Sequence, residues 1–212
     1  MHTRVFISDT PEGQKVLVLF YEAACVFSNF YPANFKVNVN EKLDDNDKEK
    51  EKIVDFKCSE QYFMYQKALL ADDEISAGYI LQETNPMKMK LHGRRLKMSK
   101  KQIEQWSQKS RSVMYRACLE KFAQNDQLRL YLFRTHRMRL VEASPTDEIW
   151  GIGLNKSDKR AENPETWRGT NWLGEVLDMV REELWKREEF KADREKVLEE
   201  TLEVRCALLE NF

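Results

Sequence analysis

The sequence predicts one helix-rich α+β domain. A small sheet from N-terminal strands packs on a helical core, and a charged helical extension follows. Three observations predict it. Of 212 residues, 42% are hydrophobic, enough for a sizeable core in a single domain. The strand-like apolar runs lie mostly before residue 58. From Ser59 onward apolar residues recur at helical spacing. The domain is placed at 1–185 and the extension at 186–212.

The elements follow in order. Val16-Leu17-Val18-Leu19-Phe20 reads as a short buried strand. Phe27 to Pro32 is an aromatic-rich turn, and 34–39 is a second strand. Residues 41–52 are nearly all charged and read as a flexible, solvated insertion, with the next strand at 53–57. Helices are expected near 59–71, 74–82, 86–92, 100–124 and 125–135. A strand at 140–143 leads into loops at 144–154, and the polar stretch 155–170 is a long loop. A helix starts near Asn171, where Leu173, Leu177, Val180 and Leu184 form a packed face. Beyond Lys186 the stripe Val197, Thr201, Val204 and Leu208 predicts that a helix continues or restarts, for packing on the body or on a partner.

Composition excludes several classes. No apolar run is long enough to span a bilayer, so no membrane partner is expected. The N-terminus lacks the basic-then-apolar order of a signal peptide. Cys25, Cys58, Cys118 and Cys206 are scattered, which fits reduced thiols in an intracellular protein, cytoplasmic or nuclear. His2, His92 and His136 are too few and too separated for a metal centre, so no metal and no cofactor are expected. A net charge of -1 argues against wholesale electrostatic binding of nucleic acid, but local clusters remain available for it.

Five clusters hold side chains suited to chemistry. In the helix from Ser59, an N-cap residue type, Glu60 and Lys67 lie seven apart and share a face, roughly 10 Å apart along the axis. Phe63 and Met64 lie between them. An acid and an amine over an apolar floor can hold a sugar-sized ligand, and they can equally be solvated charges on an amphipathic helix. In Phe27 to Tyr31, Phe30 can sandwich a flat heterocycle and Asn29 offers donor and acceptor, or the segment simply anchors a strand. The run from Lys88 to Lys101 is basic and contains no acid; Arg94, beside Gly93, suits phosphate oxygens or lies in solvent. Trp106 can stack on a base or fill the core. Asp147 lies in a loop near Trp150, while Gly151 and Gly153 permit close backbone approach to a ligand. Asp147 can instead cap a turn.

The joint order of these motifs resembles the NADAR, or YbiA-like, family over roughly residues 17–185. The resemblance rests on Phe27-Ser28-Asn29-Phe30, Ser59-Glu60-Gln61-Tyr62-Phe63 with Gln66-Lys67, Gly93-Arg94, Trp106, Val113-Met114 and Lys121-Phe122. Leu140-Val141-Glu142, Asp147 with Trp150-Gly151-Ile152-Gly153, and Asn171-Trp172-Leu173-Gly174 complete it. It implies a YbiA-like fold and hydrolysis of an N-glycosidic bond. Family members remove ADP-ribose from modified guanine in nucleic acid or split ribosylamino-pyrimidine phosphates of riboflavin synthesis. A non-catalytic module that binds ADP-ribose or an NAD derivative is the alternative of another class.

The resemblance carries Glu60, Trp106 and Asp147 over as functional positions, with Lys67 as a covalent amine, and Asn171 of its last motif is a candidate substrate-binding residue. The insertion at 41–52 and the loop at 155–170 depart from the bacterial short form, and that loop is expected to shape the pocket. The expected partners are an ADP-ribosylated nucleobase, nucleic acid or a ribosylated small molecule, plus a partner at the C-terminal helix. Breaking a ribosyl C–N bond builds positive charge at the anomeric carbon, which a carboxylate stabilises while an acid protonates the leaving base.

Overall fold

The computed structural model describes residues 2–11, 13–39 and 52–211. The charged insertion, apart from Lys52, lies outside them. Strands β1 (Thr3–Thr10) and β2 (Gly13–Phe20) form an antiparallel hairpin, and β5 (Arg139–Glu142) joins β2 in parallel, giving the order β1-β2-β5. Strands β3 (Phe35–Asn38) and β4 (Ile53–Phe56) make a separate antiparallel pair. The α+β class holds, with the sheet completed by a strand from the second half of the chain. The sequence reading missed β1, which alternates polar and apolar residues weakly and gains its place by pairing along all of β2.

β2 is buried on both faces. Val16, Val18 and Phe20 face the main core. Leu17 and Leu19 face a second cluster with Val141, Ala143, Ile152, Leu154 and Ala161. The loop expected to shape the pocket roofs this second face with its first part, and its end at 168–170 bonds to the Glu148, Ile149 and Ile152 carbonyls of the segment that carries Trp150 and Gly151. Two 3-10 turns (Lys159–Glu162 and Pro164–Thr166) lie in it, Ala161 is buried, and Trp167 Nε1 donates to the Ala161 carbonyl at 3.0 Å.

The helices are α1 (Ser59–Leu70), α2 (Glu74–Gln82), α3 (Pro86–Arg95), α4 (Lys100–Ala123), α5 (Asp126–Arg134), α6 (Trp172–Lys186), α7 (Lys191–Leu198) and α8 (Leu202–Glu210). α4 is the spine and packs against α1, α5 and α6. A capping box of Ser99 and Gln102 starts it. Gln102 also donates to the Leu70 carbonyl, which ties α4 to the end of α1. α3 runs a turn further than expected, because its basic last turn suits the helix dipole. Ser59 is not the N-cap of α1. Cys58 takes that place in extended conformation, and the Ser59 hydroxyl is buried beside the Cys118 thiol.

The C-terminal extension is part of the body rather than a free arm. Asp193 pairs with Arg129 at 2.7 Å and Glu200 with Arg134 at 2.9 Å, while Thr3 donates to the Leu209 carbonyl and Val5 N to Glu210 Oε1. A short 3-10 turn (Glu188–Phe190) breaks the helix before α7. The predicted stripe is then interrupted within itself, because α7 ends at Leu198 and α8 restarts at Leu202. Val197, Cys206 and Leu209 are buried, Val204 is exposed, and Thr201 caps α8. No helix among the described residues is long and apolar enough to cross a membrane.

α6 crosses the end of β5 closely. A Cβ on Gly174 would meet the Leu140 carbonyl oxygen at 2.1 Å and the Asn171 amide at 2.5 Å. Gly174→Ala is therefore expected to destabilise the fold by about 2–3 kcal/mol through overpacking against backbone. Chemical denaturation measures it, and an unchanged midpoint would mean that α6 shifts freely.

Candidate active site

Glu60 sits in the first turn of α1, where its backbone N–H donates to the Asn29 carbonyl at 3.0 Å. It is 4% exposed, and its Oε1 is buried with no hydrogen-bond partner. Burial pushes its carboxyl up to about 7 against the pull of Lys90 and Arg94, and the nearby Asp147 raises it further. Lys67, two turns later, is half-buried and donates to the Gly93 carbonyl at 3.0 Å. Burial, then the Arg94 charge, hold its ammonium below the ordinary lysine range. Phe63 and Met64 are buried between them, and Met64 fills the space where Gly93 has no side chain. The expected acid, amine and apolar floor thus lie on one helix face.

α3 supplies the opposing charge. Lys90 and Arg94 are one turn apart, and both act electrostatically on Glu60. Lys90 lies over the Phe30 ring, 5.6 Å from its centre. Arg94 is exposed. Among the described residues, none of the seven lysines and arginines between 88 and 101 forms an ion pair, whereas Arg111, Arg116, Arg129 and Arg134 all do.

The third side comes from the segment after β5. Asp147 Oδ1 accepts from Ile149 N at 3.0 Å and Trp150 N at 2.8 Å, so one oxygen caps the turn while the carboxylate stays close enough to act on Glu60. Trp150 packs edge-on against Phe63 at 5.4 Å, and Trp106 packs tilted on the same ring at 4.8 Å. Both tryptophans are half-buried, each seated on the core and partly open. Gly151 is buried where the Asp147 and Glu142 carbonyls converge, each 2.9 Å from a Cβ placed there. Gly153 has φ +67, which a side chain rarely adopts.

Asn29 is half-buried, with its side-chain oxygen 4.0 Å from the Cys118 sulfur. Asn171, expected to bind substrate, is fully buried. Its side chain accepts from Glu142 N at 2.9 Å and donates to the Leu140 carbonyl at 3.0 Å. Its left-handed backbone lets the 149–151 carbonyls cap the start of α6. It therefore positions β5 and the Trp150 loop rather than touching a ligand.

Sequence reading singled out neither Lys90 nor Glu142. Lys90 was one lysine among many in a basic run, and only α3 packing on α1 brings it inward. Glu142 ends β5, and its carboxyl is pushed up to about 8 by burial and by Asp147, against the pull of Lys90. In the sequence, Lys121 stands out only as part of the Lys121-Phe122 motif. It is 1% exposed and donates to the Val26 and Ser28 carbonyls at 2.6 and 2.9 Å, which pins the loop that carries Asn29 and Phe30.

The four cysteines are free and buried, and burial pushes the Cys25 thiol up to about 12 and those of Cys58 and Cys118 to about 11, so none is a ready nucleophile. Among the described residues no group of three or more His, Cys, Asp or Glu side chains is disposed to hold a metal ion. An open surface groove lined by residues including Tyr115, Asp178 and Met179 lies elsewhere and shares no residue with this cluster.

Trp106→Ala is expected to weaken ligand binding about tenfold or more, the scale of one lost base–aromatic stack. Ligand titration beside thermal melting checks it. A much lower melting point with unchanged affinity in the folded fraction would assign Trp106 to the core alone.

The profile of the NADAR domain matches residues 19–185. Protein irg-1 of Caenorhabditis elegans is 63% identical over 212 residues, covering 100% of this chain and 99% of that protein. N-glycosidase R617 of Acanthamoeba polyphaga mimivirus is 35% identical over 159 residues, 74% of this chain and 86% of its own length. N-glycosidase YbiA of Shigella flexneri is 32% identical over 158 residues, covering 74% and 80%. The NMR structure of the Escherichia coli protein YbiA superposes with a TM-score of 0.59 at 26% identity, covering 92% of both chains. The match spans all three sides of the charged cluster, and this chain belongs to the NADAR domain family.

Proposed function

We propose that this protein hydrolyses an ADP-ribosyl N-glycosidic bond and that its substrate is ADP-ribose attached to guanine in nucleic acid. The coarser part, a hydrolase acting on N-glycosyl compounds, follows from family membership and the N-glycosidase relatives. The observation that carries the reading is the buried Glu60, unpartnered at one oxygen and raised to about 7, on one helix face with the amine of Lys67. A carboxyl raised to this range moves a proton readily near neutral pH, and an amine held below its usual range is more often neutral and nucleophilic. The unpaired cations of α3 support the finer reading, because a diphosphate needs positive charge beside the sugar site.

A substrate panel tests the proposal. ADP-ribosylated DNA, ADP-ribosylated protein and a ribosylamino-pyrimidine phosphate are offered, and products are identified by mass spectrometry. Release of ADP-ribose from DNA alone supports it. Turnover of the pyrimidine alone replaces it with the riboflavin-pathway reading, and tight ADP-ribose binding without turnover replaces it with a binding module. Arg94→Ala is expected to weaken binding of the ADP-ribosyl substrate about tenfold, with binding to the DNA form falling as salt rises. Fluorescence titration across salt concentrations measures both. An unchanged affinity with a flat salt slope would remove α3 from the phosphate site.

A further inference from the structure

Three carboxyl groups belong to the charged cluster, Asp147 acting on both glutamates, and they are not equivalent. Asp147 spends one oxygen on the backbone of its own turn. Glu60 lies on α1, sealed beneath the surface. Glu142 is different from both. Its side chain accepts no hydrogen bond among the described residues, although the residue is only half-buried. Its backbone is held at both ends: the N–H donates to Asn171 Oδ1 at 2.9 Å, and the carbonyl accepts from Ile152 N at 3.0 Å. A carboxyl on so fixed a backbone, reaching the surface without a protein partner, is built to meet something else.

The charged and titratable groups that act on Glu142 come from separate elements. Asp147 follows on the next loop, Lys90 faces it from α3, and Cys25 lies beyond β2. The thiol is neutral. Asp147 and Lys90 act on Glu60 as well, so the two glutamates share charged neighbours, one glutamate coming from α1 and the other from β5, and a Cβ on Gly151 would lie 2.9 Å from both the Asp147 and the Glu142 carbonyl, which puts the end of β5 beside the Asp147 turn.

We propose that Glu142 is a further catalytic residue, the acid that protonates the departing base, while Glu60 serves the attacking side. The proposal rests on the N-glycosidase reading above. The C1–N bond breaks, and its electron pair passes to the base nitrogen, which takes the proton from the Glu142 carboxyl. On the other face, a new bond forms to C1 from water or from an amine, and the proton the nucleophile sheds goes to Glu60. Solvent returns a proton to Glu142; on the water route it also removes one from Glu60, and on the amine route Glu60 gives its proton to the opening ring oxygen and water then hydrolyses the Schiff base, which recloses the sugar. The net change is one water consumed. The raised carboxyl of Glu142 agrees with a group that holds its proton at neutral pH.

The test compares the parent with Glu142→Gln on two ADP-ribosyl substrates. One carries guanine, which needs a proton to leave. The other carries 4-nitrophenolate, which departs without one. Glu142→Gln is expected to lose about 100-fold or more in kcat/KM on the guanine substrate and less than about fivefold on the nitrophenyl substrate. The alkaline limb of the parent's pH profile should also vanish in the variant. Equal losses on both substrates in a variant that melts like the parent, or no loss on guanine, overturns the proposal. If Glu142→Gln melts far lower, Glu142→Asp decides: an acid shifts the alkaline limb while keeping it, and an unmoved limb overturns the assignment. Should the parent take only a ribosylamino-pyrimidine, the substrate reading falls. The pH limb measured on that substrate then judges Glu142 by the same outcomes.

Discussion

Glu60→Gln is expected to fold and to lose at least about 100-fold in turnover, the scale of one positioned proton-transfer group. Glutamine keeps the shape and removes both the charge and the exchangeable acid. Turnover within about threefold of the parent, under roughly 0.7 kcal/mol of barrier, would reject a catalytic role. The same variant has a stability signature. Burial raises Glu60 from 4.5 to about 7, so between those values the folded protein holds a proton that the unfolded chain has released. Stability contributed by this group is fully present below the unfolded value and falls as pH rises towards about 7. Glu60→Gln removes that slope. Above pH 7 the variant is expected to be more stable than the parent while far less active. Melting curves across pH check it, and parallel curves would mean that Glu60 titrates as an ordinary solvated acid.

Borohydride added during turnover is expected to trap the sugar on Lys67. The neutral amine attacks the anomeric carbon as the base leaves and sheds a proton to Glu60; the ring C–O bond then opens, Glu60 passes that proton to the ring oxygen, and the resulting Schiff base is what borohydride reduces. Lys67→Arg should abolish the adduct and lower turnover by about 100-fold or more, because a guanidinium stays protonated. The geometry behind this is the half-buried position of Lys67 on the Glu60 face, with its ammonium held down by burial and by Arg94. Its bond to the Gly93 carbonyl shows where the amine rests. Peptide mapping by mass spectrometry locates the adduct. An active enzyme with no adduct, or a Lys67→Arg variant at the parental rate, would leave direct attack by water.

Local pattern was enough for most of the fold. The apolar run of β2, the Ser99 capping box and the apolar face of α6 are each written within a few residues, and propensity decides them. β1 was not legible, because an edge strand with weak alternation is defined by its partner. The phase of the C-terminal stripe was lost because α7 ends at Leu198 and α8 restarts at Leu202 with Thr201 as its cap, and the extension docks through ion pairs from Asp193 and Glu200 that no periodicity predicts.

The site divides in the same way. The sequence by itself determined that Glu60 and Lys67 share a face, since seven residues make nearly two helical turns. It also determined that Asp147 can cap its own turn, since that contact is local. Only the tertiary structure decided that Lys90 and Arg94 of α3 act on Glu60, that Glu142 joins the cluster from β5, and that Asn171 is spent on backbone. The physical reason is range. Hydrogen bonds within a turn and faces of one helix depend on a few neighbouring residues. Burial, which raises Glu60 and lowers Lys67, depends on every element packed around them, and those elements include α3 and the Asp147 turn, which lie far from α1 in sequence.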